Sequence, residues 1–280
     1  MAAVVITRTT ALFPSAVFVQ WDIKPDENGP HVVDVFRAGA PDGPWETVAS
    51  GLTNAYHFLD KNFDLPPPES RWRTREGVNL LSISREIYYL VTATPPSGML
   101  HQFSSVPTPI EPGLDKRTRL FKRKILRDEG VAFRHLNGIP IIALKRRQWG
   151  TRCPECWDPV TKEGTKEHCL RCFGTTFEEG YWAPVLIRGR RTPGSTETNM
   201  TPHGDSDVKY VNFITLDYPH LEYNDVLVDQ YRNDRFLVQR VTATELKTVY
   251  VHQTIAVSEI ARDAVEYAVK VDPMMAPPLY

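Results

Sequence analysis

The stretch CPECWDPVTKEGTKEHCLRC, residues 153–172, holds all four cysteines of the chain as two CxxC pairs. A CxxC spacing lets both thiolates of a tight turn face one ion, and structural zinc sites take four ligands in a tetrahedron. Pro154 and Gly174 are residue types that such tight turns favour. The pattern therefore predicts a zinc-ribbon-like knuckle over residues 151–184. We expect it to bind one structural Zn²⁺ per chain through Cys153, Cys156, Cys169 and Cys172.

Other chemistries of paired cysteines fit this pattern less well. A disulfide needs an oxidising compartment, and the opening MAAVVITRTTALFPS lacks the basic and apolar regions of a signal peptide. A redox CxxC pair belongs at a strand-to-helix junction of a βαβ unit, and no βαβ pattern is visible. A catalytic zinc ion keeps an open coordination position, which four cysteines would close. Iron–sulfur ligation remains an alternative, although the paired spacing suits a mononuclear ion better.

Length and composition narrow the classes of protein to which the chain can belong. The 280 residues are 41% hydrophobic and 24% charged, with a net charge of −1. They suit one large domain or roughly two to three small ones. Near-neutrality disfavours a dedicated nucleic-acid binder, and the longest apolar run, IPIIAL (139–144), is too short to span a membrane. We therefore expect a soluble, mainly β, multi-module chain that is cytosolic when made and has no membrane partner.

Residues 1–107 are predicted to form an antiparallel β-sandwich. Short β-branched and aromatic runs, such as VFVQW (17–21) and HVVDVF (31–36), alternate with turn-rich segments. Strands at this spacing, punctuated by glycine and proline, are typical of small sandwiches. The pattern by itself leaves open which sandwich family the aromatic residues belong to.

The same region resembles a fibronectin type III module. Trp21 corresponds to the core tryptophan of that family's second strand, and Tyr89, Val91 and Ala93 correspond to its Y-x-V-x-A strand. The resemblance covers about residues 3–107 and departs from the family pattern at a longer insertion between Asp60 and Arg85. It implies a module that binds through its surface and carries no catalytic residues.

Residues 108–150 are predicted to form a proline-rich linker followed by a basic connector. Residues 116–152 carry twelve basic and two acidic side chains, a local charge of +10. The segment from Asp115 onward predicts a helix capped by Asp115, with Phe121 and Ile125 on one face. The sequence is consistent with two different C-terminal ends of this helix. The helix continues to Leu136 with Asn-Gly (137–138) as a left-handed cap, or Asn-Gly forms a hairpin turn before IPIIAL.

The basic segment has three interpretations: a solvated face, a docking surface for an acidic protein partner, or a nucleic-acid contact. It lacks the interleaved aromatic residues of a single-strand platform and a recognisable helix-turn-helix pair. The candidate docking residues are Lys116, Arg117, Arg119, Lys122, Arg123, Lys124, Arg127, Lys145, Arg146 and Arg147.

Residues 185–272 are predicted to form a small antiparallel β-barrel. Segments 210–216, 225–230, 235–244 and 248–257 are rich in valine, isoleucine, threonine and aromatic residues, as strands are. The polar, turn-rich stretch 188–208 is predicted to be a long loop, which in a compact domain is usually functional or disordered. Residues 273–280, PMMAPPLY, are predicted to be a flexible tail.

Catalytic signatures are missing from the sequence. It contains no nucleophile elbow, paired catalytic carboxylates, Walker loop, dinucleotide fingerprint or HExxH motif, and its eight histidines include no i,i+4 pair. We therefore expect a protein that is not an enzyme and has no small-molecule substrate. A metalloenzyme would need a zinc ion with an open coordination position.

Two stretches resemble structural proteins of tailed bacteriophages. Residues 149–185 resemble a cysteine-knuckle segment of such proteins, and residues 225–269 are similar in character to the small β-barrels of head-completion and neck proteins. The resemblance implies a ring-forming virion protein of the neck or head-to-tail connector, present in the host cytoplasm during assembly. Its partners would be portal, adaptor or tail components, and a DNA contact is not required. The alternatives are a tail or baseplate protein and a zinc-ribbon nucleic-acid-binding adaptor.

Overall fold

The computed structural model confirms a mainly β fold with one α-helix in the described part of the chain. The chain divides into two compact units. Unit 1 comprises Met1–Arg127 and Trp149–Thr151, and unit 2 comprises Asp128–Gln148 and Arg152–Tyr280. The residues that the structure describes are 3–12, 16–24, 29–61, 87–97, 102–166, 168–201, 204–246 and 249–272.

Unit 1 contains two antiparallel sheets. The first has the strand order β1-β2-β5, and the second has the order β4-β3-β6-β7, with β8 also paired to β6. Trp21, Tyr89, Val91 and Ala93 are all buried, as the sequence pattern predicts for core positions. The strands are β1 (Ala3–Leu12), β2 (Ala16–Lys24), β3 (Val32–Ala38), β4 (Glu46–Thr53), β5 (His57–Asp60), β6 (Tyr88–Thr94), β7 (Phe103–Ser104) and β8 (Thr108–Pro109).

A buried carboxylate joins the two sheets of unit 1. Asp60, in β5 of the first sheet, accepts hydrogen bonds from the Tyr89 hydroxyl (2.8 Å) and from Arg37 (2.9 Å), both in the second sheet. Burial, followed by the negative charge of Asp60, raises the pKa of Tyr89 well above its usual value. A buried charge is tolerated when it is paired and hydrogen-bonded in this way. The predicted insertion after Asp60 lies mostly outside the described residues, in the gap at 62–86.

The basic helix α1 (Lys116–Ala132) forms with the predicted cap, because the Thr118 amide donates to the Asp115 carboxylate at 3.1 Å. The predicted apolar face is wrong. Phe121 is 48% exposed, whereas Lys122 and Arg123 are buried. Lys122 forms an ion pair with the buried Glu111 at 3.6 Å, which explains how a helix can turn a cationic face inward.

Helical structure continues through Leu136, as one of the two predicted endings has it, but the predicted left-handed cap and the alternative Asn-Gly hairpin are wrong. A π-helical turn (Phe133–Asn137) follows α1, and Gly138 has an ordinary extended conformation with φ −93°. Glycine is needed at this position for space, since a Cβ atom there would overlap the Phe133 carbonyl oxygen. The chain therefore leaves the π-helical turn directly into the next strand, without a left-handed cap or an Asn-Gly hairpin.

Unit 2 contains the predicted barrel, which is closed and entirely antiparallel, in the order β12-β13-β16-β15-β14-β9. Its core includes Ile142, Leu144, Leu186, Val226 and Val228. IPIIAL, assigned from sequence to the connector, is strand β9 and supplies the first two of these residues. The strands are β9 (Ile139–Leu144), β10 (Trp157–Asp158), β11 (Glu163–Gly164), β12 (Val185–Thr201), β13 (Gly204–Leu216), β14 (Val226–Asp229), β15 (Arg235–Leu246) and β16 (Val249–Glu259).

The long loop predicted over residues 188–208 is wrong. β12 and β13 instead form an extended antiparallel hairpin that pairs from Gly189↔Thr215 to Thr201↔Gly204. The turn-forming residues Gly194 and Ser195 fall at a register shift between Pro193 and Thr196, where the hairpin accommodates them as a bulge. Threonine, abundant in this stretch, is a good strand former. A 3₁₀ turn (Val265–Ala268) follows the barrel, and the predicted tail at 273–280 lies outside the described residues.

No helix in the described ranges combines the length and the apolar character needed to cross a membrane.

Candidate metal centre

Two similar turns build the cysteine knuckle (residues 151–184). In each, the residue after the CxxC pair is aromatic, and its amide donates to the carbonyl of the first cysteine. Trp157 donates to Cys153 at 3.1 Å, and Phe173 donates to Cys169 at 2.8 Å. These backbone bonds close each CxxC segment into a turn, so that both of its thiols project to the same side. The sequence pattern CxxC-aromatic, present twice, carries this information.

The two turns bring all four sulfur atoms together. Every Sγ atom lies within 4.8 Å of the other three, with 3.8 Å between Cys153 and Cys169 and 3.2 Å between Cys156 and Cys172. A tetrahedron with metal–sulfur bonds of about 2.3 Å has edges of about 3.8 Å. The four cysteines are buried, and the described residues contain no other group of three or more such ligands. The predicted ligands therefore form one compact site that is compatible with a structural metal ion.

Burial and hydrogen bonds act in opposite directions on the pKa values of Cys156, Cys169 and Cys172. Burial is the main cause that raises the pKa of Cys156 and of Cys172 above the usual value. Burial acts the same way on Cys169, but amide hydrogen bonds from Arg171 and Cys172 outweigh it and lower its pKa to about 7. Thiolates without a counter-charge are costly to bury. A bound cation would supply that charge and would hold the four sulfurs as thiolates.

Arg152 fills the space beside the first turn. Its guanidinium lies over the rings of Trp157 at 3.9 Å and Phe177 at 4.0 Å, and it donates to the Thr176 hydroxyl at 2.9 Å. Burial lowers the pKa of Arg152. In addition, the Cys153 amide donates to the Thr176 carbonyl at 2.9 Å. Sequence reasoning counted Arg152 only as one of the basic residues and missed this packing role.

The knuckle is attached to the barrel through the predicted docking residues at 145–147. Arg147 donates to the Tyr181 carbonyl at 3.1 Å, forms an ion pair with Glu179, and lies over the Trp182 ring at 4.7 Å. Arg146 donates to the Gly174 carbonyl at 3.2 Å. Each contact joins the segment after β9 to the knuckle.

A buried carboxylate on the barrel side completes this attachment. Asp225 accepts hydrogen bonds from the amides of Arg146 (2.8 Å) and Glu222 (2.7 Å), and its carboxylate lies 3.6 Å from the Lys145 ammonium. Burial raises the pKa of Asp225 to about 6, against the opposing effect of Lys145. No sequence motif marks Asp225, because its role depends on a neighbour 80 positions earlier in the chain.

These positions correct the docking prediction. Lys122, Arg123, Lys145 and Arg147 are buried, so they offer no surface to a partner or to DNA, and Arg119 and Arg146 are half-buried. Charge density in the sequence does not distinguish a buried cation with local partners from a free one. The exposed members of the predicted set with described side chains are Arg117, Lys124 and Arg127.

No protein family model matches the chain, and the search of curated proteins finds no similar sequence.

Proposed function

We propose that this chain is a non-enzymatic structural protein of a tailed-phage virion, a ring-forming component of the neck or head-to-tail connector. The observation that carries the proposal is the closed cluster of four buried cysteines attached to a β-barrel. Four thiolates around one ion leave no coordination position for a substrate, which favours a structural over a catalytic metal. The resemblance of residues 149–185 and 225–269 to phage structural proteins adds the biological setting.

In this proposal the ion is Zn²⁺, one per chain, and the N-terminal unit is a fibronectin type III-like module. Mononuclear tetrahedral sulfur sites are typical of zinc. Two antiparallel sheets with a buried Trp21 and a buried Tyr89, Val91 and Ala93 support the fibronectin-like assignment. The partners are portal, adaptor or tail components, and the chain resides in the virion after assembly in the host cytoplasm.

The test uses the zinc-loaded full chain, purified heads that carry a portal, and electron microscopy of the mixture. We expect added density at the neck and co-sedimentation with the heads. Binding to purified tails instead would place the chain in the tail or baseplate. A chain that binds neither heads nor tails would overturn the proposal. Cobalt substitution checks the metal, and a spectrum with fewer than four sulfur ligands would exclude the structural site.

A second candidate function, a nucleic-acid-binding adaptor, is favoured by the exposed cations Arg117, Lys124 and Arg127 on α1. Phosphate contacts by such side chains make affinity fall steeply as salt rises. Binding of duplex or single-stranded DNA at low salt, weakened by Lys124→Ala, would support this function. Lack of binding at low salt would remove it.

A further inference from the structure

A cavity of about 400 Å³ lies in unit 2, beside the turn that joins β14 to β15. Residues of β9, β14 and β15 line it, and residues 267–271, which follow the barrel, complete its wall. Ligand pockets commonly have volumes of about 300–1,000 Å³. None of the four cysteines lines the cavity, so it is distinct from the candidate metal centre.

Four aliphatic side chains give the cavity an apolar wall. Ile142 and Val228 belong to the hydrophobic core of the barrel, and Val269 and Val271 pack against that core. All four line the cavity. Placing an apolar group against such side chains removes it from water, which is favourable. The cavity therefore suits a ligand that has an apolar body.

A buried cation, Arg235, also lines the cavity and is only 3% exposed. Its guanidinium donates to the Val269 carbonyl at 2.8 Å and to the Glu266 carbonyl, and it lies over the Tyr267 ring at 5.1 Å. Its Nε atom is buried and has no hydrogen-bond partner. Within the described ranges, no carboxylate forms an ion pair with this guanidinium. Its positive charge is therefore left without a counter-charge.

The burial of this unpaired charge is energetically costly. Backbone carbonyls accept hydrogen bonds from a guanidinium, but they carry no net charge that would balance it. Burial accordingly lowers the pKa of Arg235 below its usual value. A negative charge inside the cavity would offset this cost, because electrostatic attraction is stronger where water is largely excluded. Arg235 thus favours an anionic ligand.

In the described part of the chain, the other charged residues that line the cavity are Lys270 and Asp229. Lys270 is exposed and forms no ion pair with another described residue. Asp229 is buried, and its carboxylate accepts hydrogen bonds from the amides of Tyr231 (2.9 Å) and Arg232 (3.2 Å), which hold the turn after β14. Two cations and one carboxylate give the wall a net charge of +1. This charge matches a monoanion better than a phosphate group, which carries about −1.5 to −2 at neutral pH.

We propose that this cavity binds a small organic monocarboxylate. The carboxylate of the ligand pairs with Arg235 and Lys270. Its apolar body packs against Ile142, Val228 and Val269. The ligand is bound without undergoing a reaction, so the site is compatible with a non-enzymatic protein. It goes beyond the structural role proposed above, because it does not depend on where the chain is assembled.

Methyl NMR of the zinc-loaded full chain tests the proposal, with hexanoate and 3-phenylpropionate as probes. We expect saturable shifts of the Val228, Val269 and Val271 methyl signals with at least one of these acids at millimolar concentration. The matching amide keeps the shape of the acid and loses its charge, so it should bind about tenfold more weakly or worse. Acetate lacks the apolar body and should also bind more weakly than that acid.

Two variants test the site from the side of the protein. Arg235→Gln keeps an N–H donor for the backbone carbonyls but removes the charge, so the acid should bind about tenfold more weakly while the amide binds as before. Arg262→Gln is its matched control, since Arg262 is exposed, pairs with Asp234 at 3.3 Å and does not line the cavity. Ala268→Phe places a ring at an exposed position of the wall and should weaken the binding of acid and amide alike. Thermal unfolding of each variant checks that it is folded.

Four outcomes would overturn the inference: neither acid shifts the three valine signals, an acid and its amide bind equally, inorganic phosphate occupies the site more tightly than the acids, or Ala268→Phe leaves acid binding unchanged. If Arg235→Gln does not fold, Ala268→Phe still decides whether the cavity is the site, and the comparison of acid with amide decides whether charge matters. Binding to heads or tails does not enter this test, so its failure is distinguishable from failure of the proposed function.

Discussion

The knuckle and the barrel lie in the same unit, yet different forces hold them together. The barrel has a hydrophobic core that includes Ile142, Leu144 and Val226, whereas the knuckle's own buried cluster consists of its four cysteines. Apolar residues of the knuckle, such as Val160 at 87% and Leu170 at 70%, remain exposed. A segment this short buries too little apolar surface to fold alone. We therefore expect its stability to depend on a bound metal ion and on its attachment to the barrel.

The largest effect is expected from Cys172→Ser, which should destabilise the metal-dependent knuckle while leaving the hydrophobic core of the barrel intact. Cys172→Ser removes one of four ligands, and structural zinc contributes about 10–16 kcal/mol of apparent binding free energy in small zinc domains. We expect loss of the stoichiometric metal and rapid amide hydrogen exchange over residues 151–184, with β9 and β14 still protected. Leu170→Ser, an exposed change within the same CxxC turn, should keep both the metal and the protection. Metal retention by Cys172→Ser would show that the site is not formed by four cysteines.

The attachment between knuckle and barrel is tested next, by Lys145→Met. This change leaves the buried Asp225 carboxylate without its closest buried cation, while Glu222 also loses its ion pair at 3.2 Å. Breaking a buried pair on one side costs about 3 kcal/mol or somewhat more. Urea unfolding of unit 2, followed by hydrogen exchange in β9 and β14, measures the loss.

Lys124→Met is the matched control for this attachment, since Lys124 is exposed on α1 and should change stability by no more than about 0.5 kcal/mol. Equal effects of the two substitutions would contradict the structural role assigned to Lys145.

A smaller effect is expected from Gly180→Ala inside the knuckle. Gly180 has a φ of +67°, and a Cβ atom there would lie 2.6 Å from the carbonyl oxygen of Cys172. The combined backbone strain and close contact should cost about 2 kcal/mol. Because the affected carbonyl belongs to a metal ligand, we expect a weaker metal affinity in chelator competition, with the barrel unchanged.

Gly164→Ala provides the control for that experiment. Its Cβ would meet only the Thr176 methyl group, at 3.0 Å, and its backbone needs no left-handed conformation. We expect a clearly smaller loss of metal affinity. If both alanine variants bind the metal as the wild type does, the close approach of Gly180 to Cys172 is not needed for the site.

Knuckle and barrel also differ in how far the sequence predicts them. The CxxC spacing predicts all four ligands, since the chemistry depends on residues close together in the chain. The periodic strands predict the barrel, and β-branched residues at 210–257 carry that signal. The hairpin at 188–208 was missed because glycine, proline and serine at 193–195 dominate the local pattern, although they occupy a single bulge. The burial of Lys122, Lys145 and Arg147 depends on distant acidic or aromatic partners, which no local pattern contains.

The smallest expected effect is a pH dependence of stability, caused by Asp225, which contacts Lys145 and Arg146 where the knuckle is attached to the barrel. Burial raises the pKa of Asp225 to about 6 in the folded chain, compared with about 4 in an unfolded one. The folded state therefore binds this proton more tightly, and the resulting stabilisation is complete below about pH 4 and lost as pH rises through about 6. Asn at this position does not titrate. The stability of the wild type relative to Asp225→Asn should fall between pH 5 and 7.5, by about 1 kcal/mol.

Urea unfolding of both zinc-saturated chains across this range measures that difference. Comparing the two chains at each pH cancels the titration of all groups that they share, including the cysteines. A difference that grows with pH in favour of the wild type would mean that the Lys145 ammonium and the amides of Arg146 and Glu222 together outweigh burial at Asp225. The contact would then be more stable at alkaline than at acidic pH.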